Sequence, residues 1–479
     1  MKTFLSLAEG IFLSFLFMAC AFHPHAEWVM TTEDSSWVRQ PELVAASSDT
    51  VAEIDVLIRT EGREQRMEGF GACFNELGWL SLSKLDPRDR EAIMEEFFFP
   101  GVGANFTLCR MPIGANDFSR DWYSYDEEEG DFAMEHFTIA NDRQTLIPFI
   151  QNARKYQPEL RIWASPWCPP SWMKHNKHYA AAYTDETYAE KYRNGLPASK
   201  TGAEGTDMFI RDSFYLQAYA LYFSKFIEAY REQGIPVFAV MPQNEFNSAQ
   251  IFPSCCWTAA GLADFIGKYL GPAMERMGVK VFFGTMERPD EALVDTVLTD
   301  PACREYVRGV GFQWAGKDAL PGIRQRYSAL LLYQTEQECG DGKNDWKGAL
   351  YAWRLMQHYL NHGVSAYLYW NFSLEAGGIS RWGWAQNSLV VVDPATKTYR
   401  YTPEYYLLKH LSHYVQPGAY KLKTEGPYTN LLAFRNADKS MAIVLANETG
   451  EDRRVTFQVE EHVYAPLVRA YSINTFFLR

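Results

Sequence analysis

The chain has 479 residues, 47% of them hydrophobic and 22% charged, which is ordinary globular usage and excludes extensive disorder or a collagen-like polymer. Its 46 basic and 59 acidic residues give a formal net charge of −13, and no Lys/Arg cluster could track a phosphate backbone, so nucleic acid is not an expected partner. Aromatic residues reach 15%, with 14 Trp and 28 Tyr. Their flat faces and polar tips suit sugar rings as well as large cores.

The first segment, residues 1–21, holds an apolar run from Ile11 to Ala21, about the length of a signal-peptide core and too short to span a bilayer. Export follows as an expectation, to the outside, the periplasm or the cell surface. Ala19-Cys20-Ala21 fits a small-x-small cleavage site, whereas Phe17-Met18-Ala19-Cys20 is an imperfect lipobox that would leave Cys20 as a lipid tether; both stay open. Residues 22–66 are read as a polar, irregular tether over 22–35 and then a strand, Val51–Ile58, with one face buried.

From residue 67 to 414, short β-rich apolar runs alternate with longer amphipathic segments. The predicted strands are Met67–Phe74, Asn105–Gly114, Arg161–Trp167, Val237–Glu245, Val279–Thr285, Val307–Trp314, Leu330–Glu336 and Ala366–Phe372. The predicted helices are Asp86–Phe98, Asp142–Lys155, Asp212–Glu232, Ala259–Met277, Glu291–Leu298, Gly322–Tyr327, Trp346–Asn361 and Thr402–His413. Eight such units describe a closed (β/α)8 barrel better than an open sheet. Residues 415–479 change character again, to short strands broken by Asn-Ala-Asp, Asn-Glu-Thr-Gly and Pro. That pattern predicts an antiparallel β-sandwich, which the N-terminal strand is expected to join.

Eight Cys are present, and loss of Cys20 would leave an odd number. None sits in a CxxC pair, and His175-x-x-His178 and His410-x-x-His413 are isolated, so no metal site or cofactor is expected. Cys73, Cys109, Cys168 and Cys339 fall at predicted strand ends without an accompanying His, and read as packing rather than as thiol nucleophiles. Asn105, Asn371 and Asn447 match glycosylation acceptors; the first two lie in predicted strands.

In a barrel of this kind the reactive groups sit at the C-terminal ends of the strands. The fourth predicted strand closes on Gln243-Asn244-Glu245 and the seventh on Thr335-Glu336. Two carboxyl groups facing one another are what a sugar acetal requires: a neutral acid for the leaving oxygen and an anion for the developing oxocarbenium centre. Glu245 is assigned the acid/base role and Glu336 the nucleophile, with Glu338 as competitor because it is two residues on.

Met67-Glu68-Gly69-Phe70-Gly71, Arg110-Met111-Pro112 with Asp117-Phe118-Ser119, the run Ala164 to Lys174, Gln243-Asn244-Glu245, Thr335-Glu336 and Trp370-Asn371 together resemble glycoside hydrolase family 30, the lysosomal glucosylceramidase relatives. The resemblance implies a retaining β-glycosidase with a barrel and attached sandwich, a carbohydrate or glycoconjugate substrate and a place in sphingolipid metabolism. By position it implies a 2-hydroxyl contact for Asn244, a grip on the 3- and 4-hydroxyls for Asp117 and Trp167, and a cation beside the nucleophile for Arg110. Trp314, Trp370, Asn371 and Trp382 match further substrate contacts on the aromatic side of the pocket. The chain departs from the family at Gln313-Trp314-Ala315, where relatives carry His-Trp-Tyr, which puts glucosylceramide specificity in doubt. The loops Cys168–Thr206 and Asp121–Asp131 are candidates for the aglycone side. β-1,6-Glucanase, β-xylosidase and β-fucosidase activities occur in the family, and a carbohydrate-binding barrel without turnover is the alternative from another class.

Overall fold

The computed structural model describes residues 25–46 and 53–479. The expected leader with Cys20, and Val51 and Ala52 of the expected strand, lie outside the described residues. Eight parallel strands close into a barrel. They are β1 (Gly69–Cys73), β2 (Leu108–Ile113), β3 (Arg161–Pro166), β4 (Val237–Val240), β5 (Lys280–Met286), β6 (Val307–Gln313), β7 (Leu331–Glu336) and β8 (Ala366–Asn371). Closure is made where β8 runs beside β1, with Tyr367 opposite Phe70 and Leu368 opposite Gly71. Gly71 is needed there, because a side chain would strike the Leu108 carbonyl of β2. The lower lumen is filled by Leu108, Trp163, Ala239, Met241, Phe282, Tyr333, Ala366 and Leu368, so the barrel is a packed core with its chemistry above that layer.

β4 is shorter than its sequence suggests. It stops at Val240, and Met241 to Glu245 leave the sheet as a loop. Pro242 lacks an amide hydrogen for the ladder, which is reason enough for the strand to end just before it. The helices begin where a side chain can accept the first free amides: Asp212 from Phe214, Thr258 from Gly261, Asp345 from Gly348 and Thr402 from Tyr405. The expected helix Ala259–Met277 is broken into α-helical ends around a π-turn at Ile266–Leu270, immediately before Gly271-Pro272. A wider turn there relieves the clash a proline ring makes with the carbonyl four residues earlier. Two elements carried no clear periodicity in the sequence: a helix at Glu76–Leu82 and a three-stranded sheet after β8, made by Ser373–Glu375, Val390–Asp393 and Thr398–Tyr401.

The second domain is built on one 10-stranded sheet. Residues from both ends of its strand order, among them Ala26, Ile58, Leu445, Phe457, Val459 and Phe476, share one apolar core. The N-terminal part joins it, as expected, through Val56–Arg66. A second contribution corrects the tether reading: His25–Thr32 is a strand, paired antiparallel with Ser472–Leu478 along its length.

A buried histidine fastens this sheet to the barrel's last helix. His410 Nε2 lies 2.8 Å from Thr31 Oγ1 and its Nδ1 lies 2.8 Å from Thr475 Oγ1. The Thr475 hydroxyl donates its hydrogen to the His410 carbonyl, 3.0 Å away, so it must accept from Nδ1–H, and Nε2 then accepts from Thr31. This arrangement needs a neutral ring, and burial lowers its pKa to about 3. An unfolded chain takes up that proton near its ordinary value of about 6.5, so stability present above this value is lost as pH falls toward the folded value, by up to about 1.4 kcal/mol per pH unit. Thermal melts should therefore show His410→Gln losing melting temperature less steeply than wild type between pH 6.5 and 4.5, whatever its offset at pH 7.5; parallel curves would refute the assignment.

Candidate active site

The C-terminal ends of the strands surround a cavity of about 240 Å³. Six of the residues singled out by sequence line it: Asp117, Trp167, Asn244, Glu245, Trp314 and Glu336. Glu336 is the last residue of β7, Trp167 and Trp314 directly follow β3 and β6, and Asn244-Glu245 come from the loop that follows β4. Glu245 and Trp314 both adopt left-handed backbone, with φ of 45° and 47°. Such positions are costly for residues with large side chains and concentrate where geometry is imposed by a site.

Arg110 lies beneath the cavity floor, wholly buried, with its guanidinium carbon 4.3 Å from the Trp167 ring centroid and 4.9 Å from that of Trp163. One nitrogen donates to Glu336 Oε2 at 2.9 Å; the other donates to Asn244 Oδ1 at 2.7 Å and Ser165 Oγ at 2.9 Å. Thr285 accepts from the Glu245 backbone amide at 2.8 Å and donates to Asn244 Oδ1 at 3.1 Å. With its oxygen turned inward to these donors, Asn244 has its amide nitrogen left for a ligand.

Gln313, at the end of β6, links the two carboxyl groups. Its Nε2 stands 3.0 Å from Glu245 Oε1 and 3.3 Å from Glu336 Oε2. One oxygen of each carboxyl group thus shares a single amide donor, which holds the two groups close together at the cavity. Trp314 donates to the other Glu336 oxygen at 3.2 Å.

Burial pushes the Glu245 carboxyl up to about 8, and the Glu336 charge adds to it. Burial raises Glu336 as well, to about 7, with Arg110 opposing the shift. With the cation bound to Glu336, the first proton of the pair is lost there and Glu245 keeps its own. Asp117 is pushed up to about 7 by burial and then by Glu245, and its buried Oδ1 has no partner. An unpaired carboxyl oxygen facing a cavity is a ready hydroxyl acceptor.

Other expected contacts are placed differently. Trp370 is behind the wall, stacked on Trp167 with centroids 5.3 Å apart. Asn371 is a strut: it accepts from Asn75 at 2.9 Å and donates to Gln386, which lines the cavity, at 3.2 Å. Trp382 is buried against Trp122, and the exposed aromatic in that loop is Trp384, which the sequence reading passed over. Neither Cys168–Thr206 nor Asp121–Asp131 lines the cavity; its outer wall is made by Gln250, Phe252, Glu287, Trp384 and Gln386. Glu338 points elsewhere, bonded to Lys317 at 2.8 Å and to Tyr351. Seven Cys are described, all buried and unpaired, and burial raises the thiol pKa at Cys73, Cys109, Cys168 and Cys339. The three glycosylation-like Asn are buried too.

A family model described as the glycosyl hydrolase family 30 TIM-barrel domain matches residues 67–194 and 198–415, and one described as the glycosyl hydrolase family 30 beta sandwich domain matches residues 418–476. The chain is 26% identical to the lysosomal acid glucosylceramidase of Mus musculus over 454 residues, 88% of this chain and 83% of that protein. It is 26% identical to an endo-1,6-beta-D-glucanase of Neurospora crassa over 445 residues, 87% of this chain and 86% of that one. In fold it resembles SrfJ from Salmonella typhimurium, with a TM-score of 0.84 at 20% identity over 95% of this chain and 99% of the other.

A carboxyl group whose pKa rises on folding stabilises fully below its unfolded value, and that contribution is lost as pH climbs to the folded value. For Glu245 the window runs from about 4.3 in the unfolded chain to about 8. Glu245→Gln, which cannot ionise, should melt above wild type at pH 7.5, by up to about 4 kcal/mol of stability, with the gap closing toward pH 4. A gap independent of pH would show that Glu245 is not held in its protonated form.

Proposed function

The chain belongs to glycosyl hydrolase family 30, and we propose that it is a retaining β-glycosidase that releases a β-linked glucose or glucose-like pyranose by double displacement. The observation that carries this reading is the pair of carboxyl groups held by one amide, with a buried cation bonded to one of them and not to the other. Glu336 attacks the anomeric carbon from one face while Glu245 gives its proton to the leaving oxygen; Glu245 then takes a proton from the water that releases the sugar. The shared amide donor brings an oxygen of each carboxyl group close to the other, which supports a covalent intermediate.

Asp117 and Trp167 are proposed to hold the ring through its hydroxyls, and Asn244 to donate to the 2-hydroxyl, a bond that strengthens as positive charge develops on the ring. Arg110 keeps Glu336 anionic until attack. A second reading, cleavage within or at the end of a β-1,6-glucan, is supported by the outer wall. Trp384 and Phe252 offer flat faces and Glu287 and Gln250 polar groups, a lining better matched to a sugar leaving group than to paired alkyl chains. Glucosylceramide remains the competing substrate on the strength of the glucosylceramidase relative. Export, either released or tethered through Cys20, is proposed from the apolar run near the N-terminus.

Wild type is expected to turn over an aryl β-glucoside and to release glucose from β-1,6-linked glucan. Glu245→Gln should lower kcat/KM by roughly 10²–10⁴, and Glu336→Gln should leave only background hydrolysis. Azide should rescue Glu336→Gly and not Glu338→Gly. Binding of glycans without turnover by wild type would favour the carbohydrate-binding alternative, and azide rescue confined to residue 338 would displace the nucleophile assignment.

A further inference from the structure

Gln313 closes β6, and its surroundings set which way its amide points. The Oε1 end meets Arg110, which can only donate, at 3.4 Å, and the Thr335 hydroxyl at 2.8 Å, whose single hydrogen is shared with the Phe312 carbonyl at 3.1 Å. The Nε2 end meets only acceptors: Glu245 at 3.0 Å, Asn244 Oδ1 at 3.1 Å and Glu336 at 3.3 Å. Two hydrogens thus face three acceptors, and two of those are the carboxyl groups assigned to the reaction. From the geometry we infer that Gln313 is a further catalytic residue, a neutral donor whose hydrogen bonds follow the negative charge as it passes from Glu336 to Glu245 and back.

The inference rests on the glycosidase reading. In the first step a Glu336 oxygen bonds to the anomeric carbon, the bond from that carbon to the leaving oxygen breaks with its electron pair on the oxygen, and the Glu245 proton goes to that oxygen. Glu336 has become a neutral ester and Glu245 an anion. In the second step water gives a proton to Glu245, its oxygen bonds to the carbon, and the ester electrons return to Glu336. One unit of charge therefore moves between two sites that a single NH2 group already touches, so the same donor stabilises the anion at either end of each step. A histidine here would present one hydrogen per ring nitrogen and add a charge of its own near pH 6–7, whereas the glutamine presents two and never ionises.

The ionisable groups facing this amide are Arg110 from β2, Glu245 beyond β4 and Glu336 from β7; Asp117 and Glu287 are the other acids at the cavity. Of these acids only Glu245 exchanges a proton in the scheme, while Glu336 cycles between anion and ester. Removing the donor weakens the anionic form of each, so both titrate higher.

Two variants test this, Gln313→Leu and the nearly isosteric Gln313→Glu. Gln313→Leu should lose about 10²-fold in kcat with KM little changed, and the acid limb of its pH profile should move upward. Gln313→Glu, which keeps one donor only while its own carboxyl is protonated, should be confined to the acid side. Nuclear magnetic resonance titration of the Glu side-chain carboxyl carbons reads the same upward shift without substrate. A folded Gln313→Leu variant with unmoved pH limbs and unmoved titrations would overturn the inference while leaving the glycosidase reading intact. A wild type that cleaves no β-glycoside would fail that reading and the charge transfer with it.

Discussion

A guanidinium with no access to water organises the barrel's upper end. Arg110 has to find its partners within the protein, and those it finds arise on four different strands or their loops: Ser165, Asn244, Gln313 and Glu336. Burying a cation is unfavourable unless its hydrogen bonds are made, so each of those partners is held as firmly as the arginine is. The Trp163 and Trp167 rings on which it lies keep water out and strengthen each of these contacts. The orientation of Asn244, the charge on Glu336 and the amide direction of Gln313 then follow as consequences of one buried charge.

The same low dielectric sets the acid and the anion apart. Two carboxyl groups this near to one another cannot both ionise without penalty, and the arginine decides which does. Burial raises both; Arg110 lowers both, but it is bonded to Glu336 and opposes the rise more strongly there, which is what divides them. The site is therefore asymmetric before any substrate enters, and little reorganisation is required of it.

Much of the architecture was legible because it rests on local signals. Period and length separated strands from helices, and the expected helix Trp346–Asn361 has those same bounds in the structure, where Asp345 caps it. The two carboxyl groups that face one another were legible from their place at predicted strand ends, although Glu245 stands on the loop beyond β4. What escaped depends on contacts remote in sequence. His25–Thr32 has no alternation strong enough to announce a strand, and its partner lies at the other end of the chain. Gln313 was visible only as the residue that is not His, because its meaning lies in acceptors 23, 68 and 69 positions away. Trp382 and Trp384 differ by two residues in one loop, and only the turn, with Gly383 at φ 83°, decides which faces in and which faces the cavity.

The pairing of Ala26 with Leu478 brings the two ends of the described fold side by side on neighbouring strands. The whole barrel is thus spliced between flanks of one sheet, much as an inserted domain is carried by its host. A circular permutant that joins these ends by a short linker and reopens the chain at an exposed helix–strand turn would retain every strand pair of both domains.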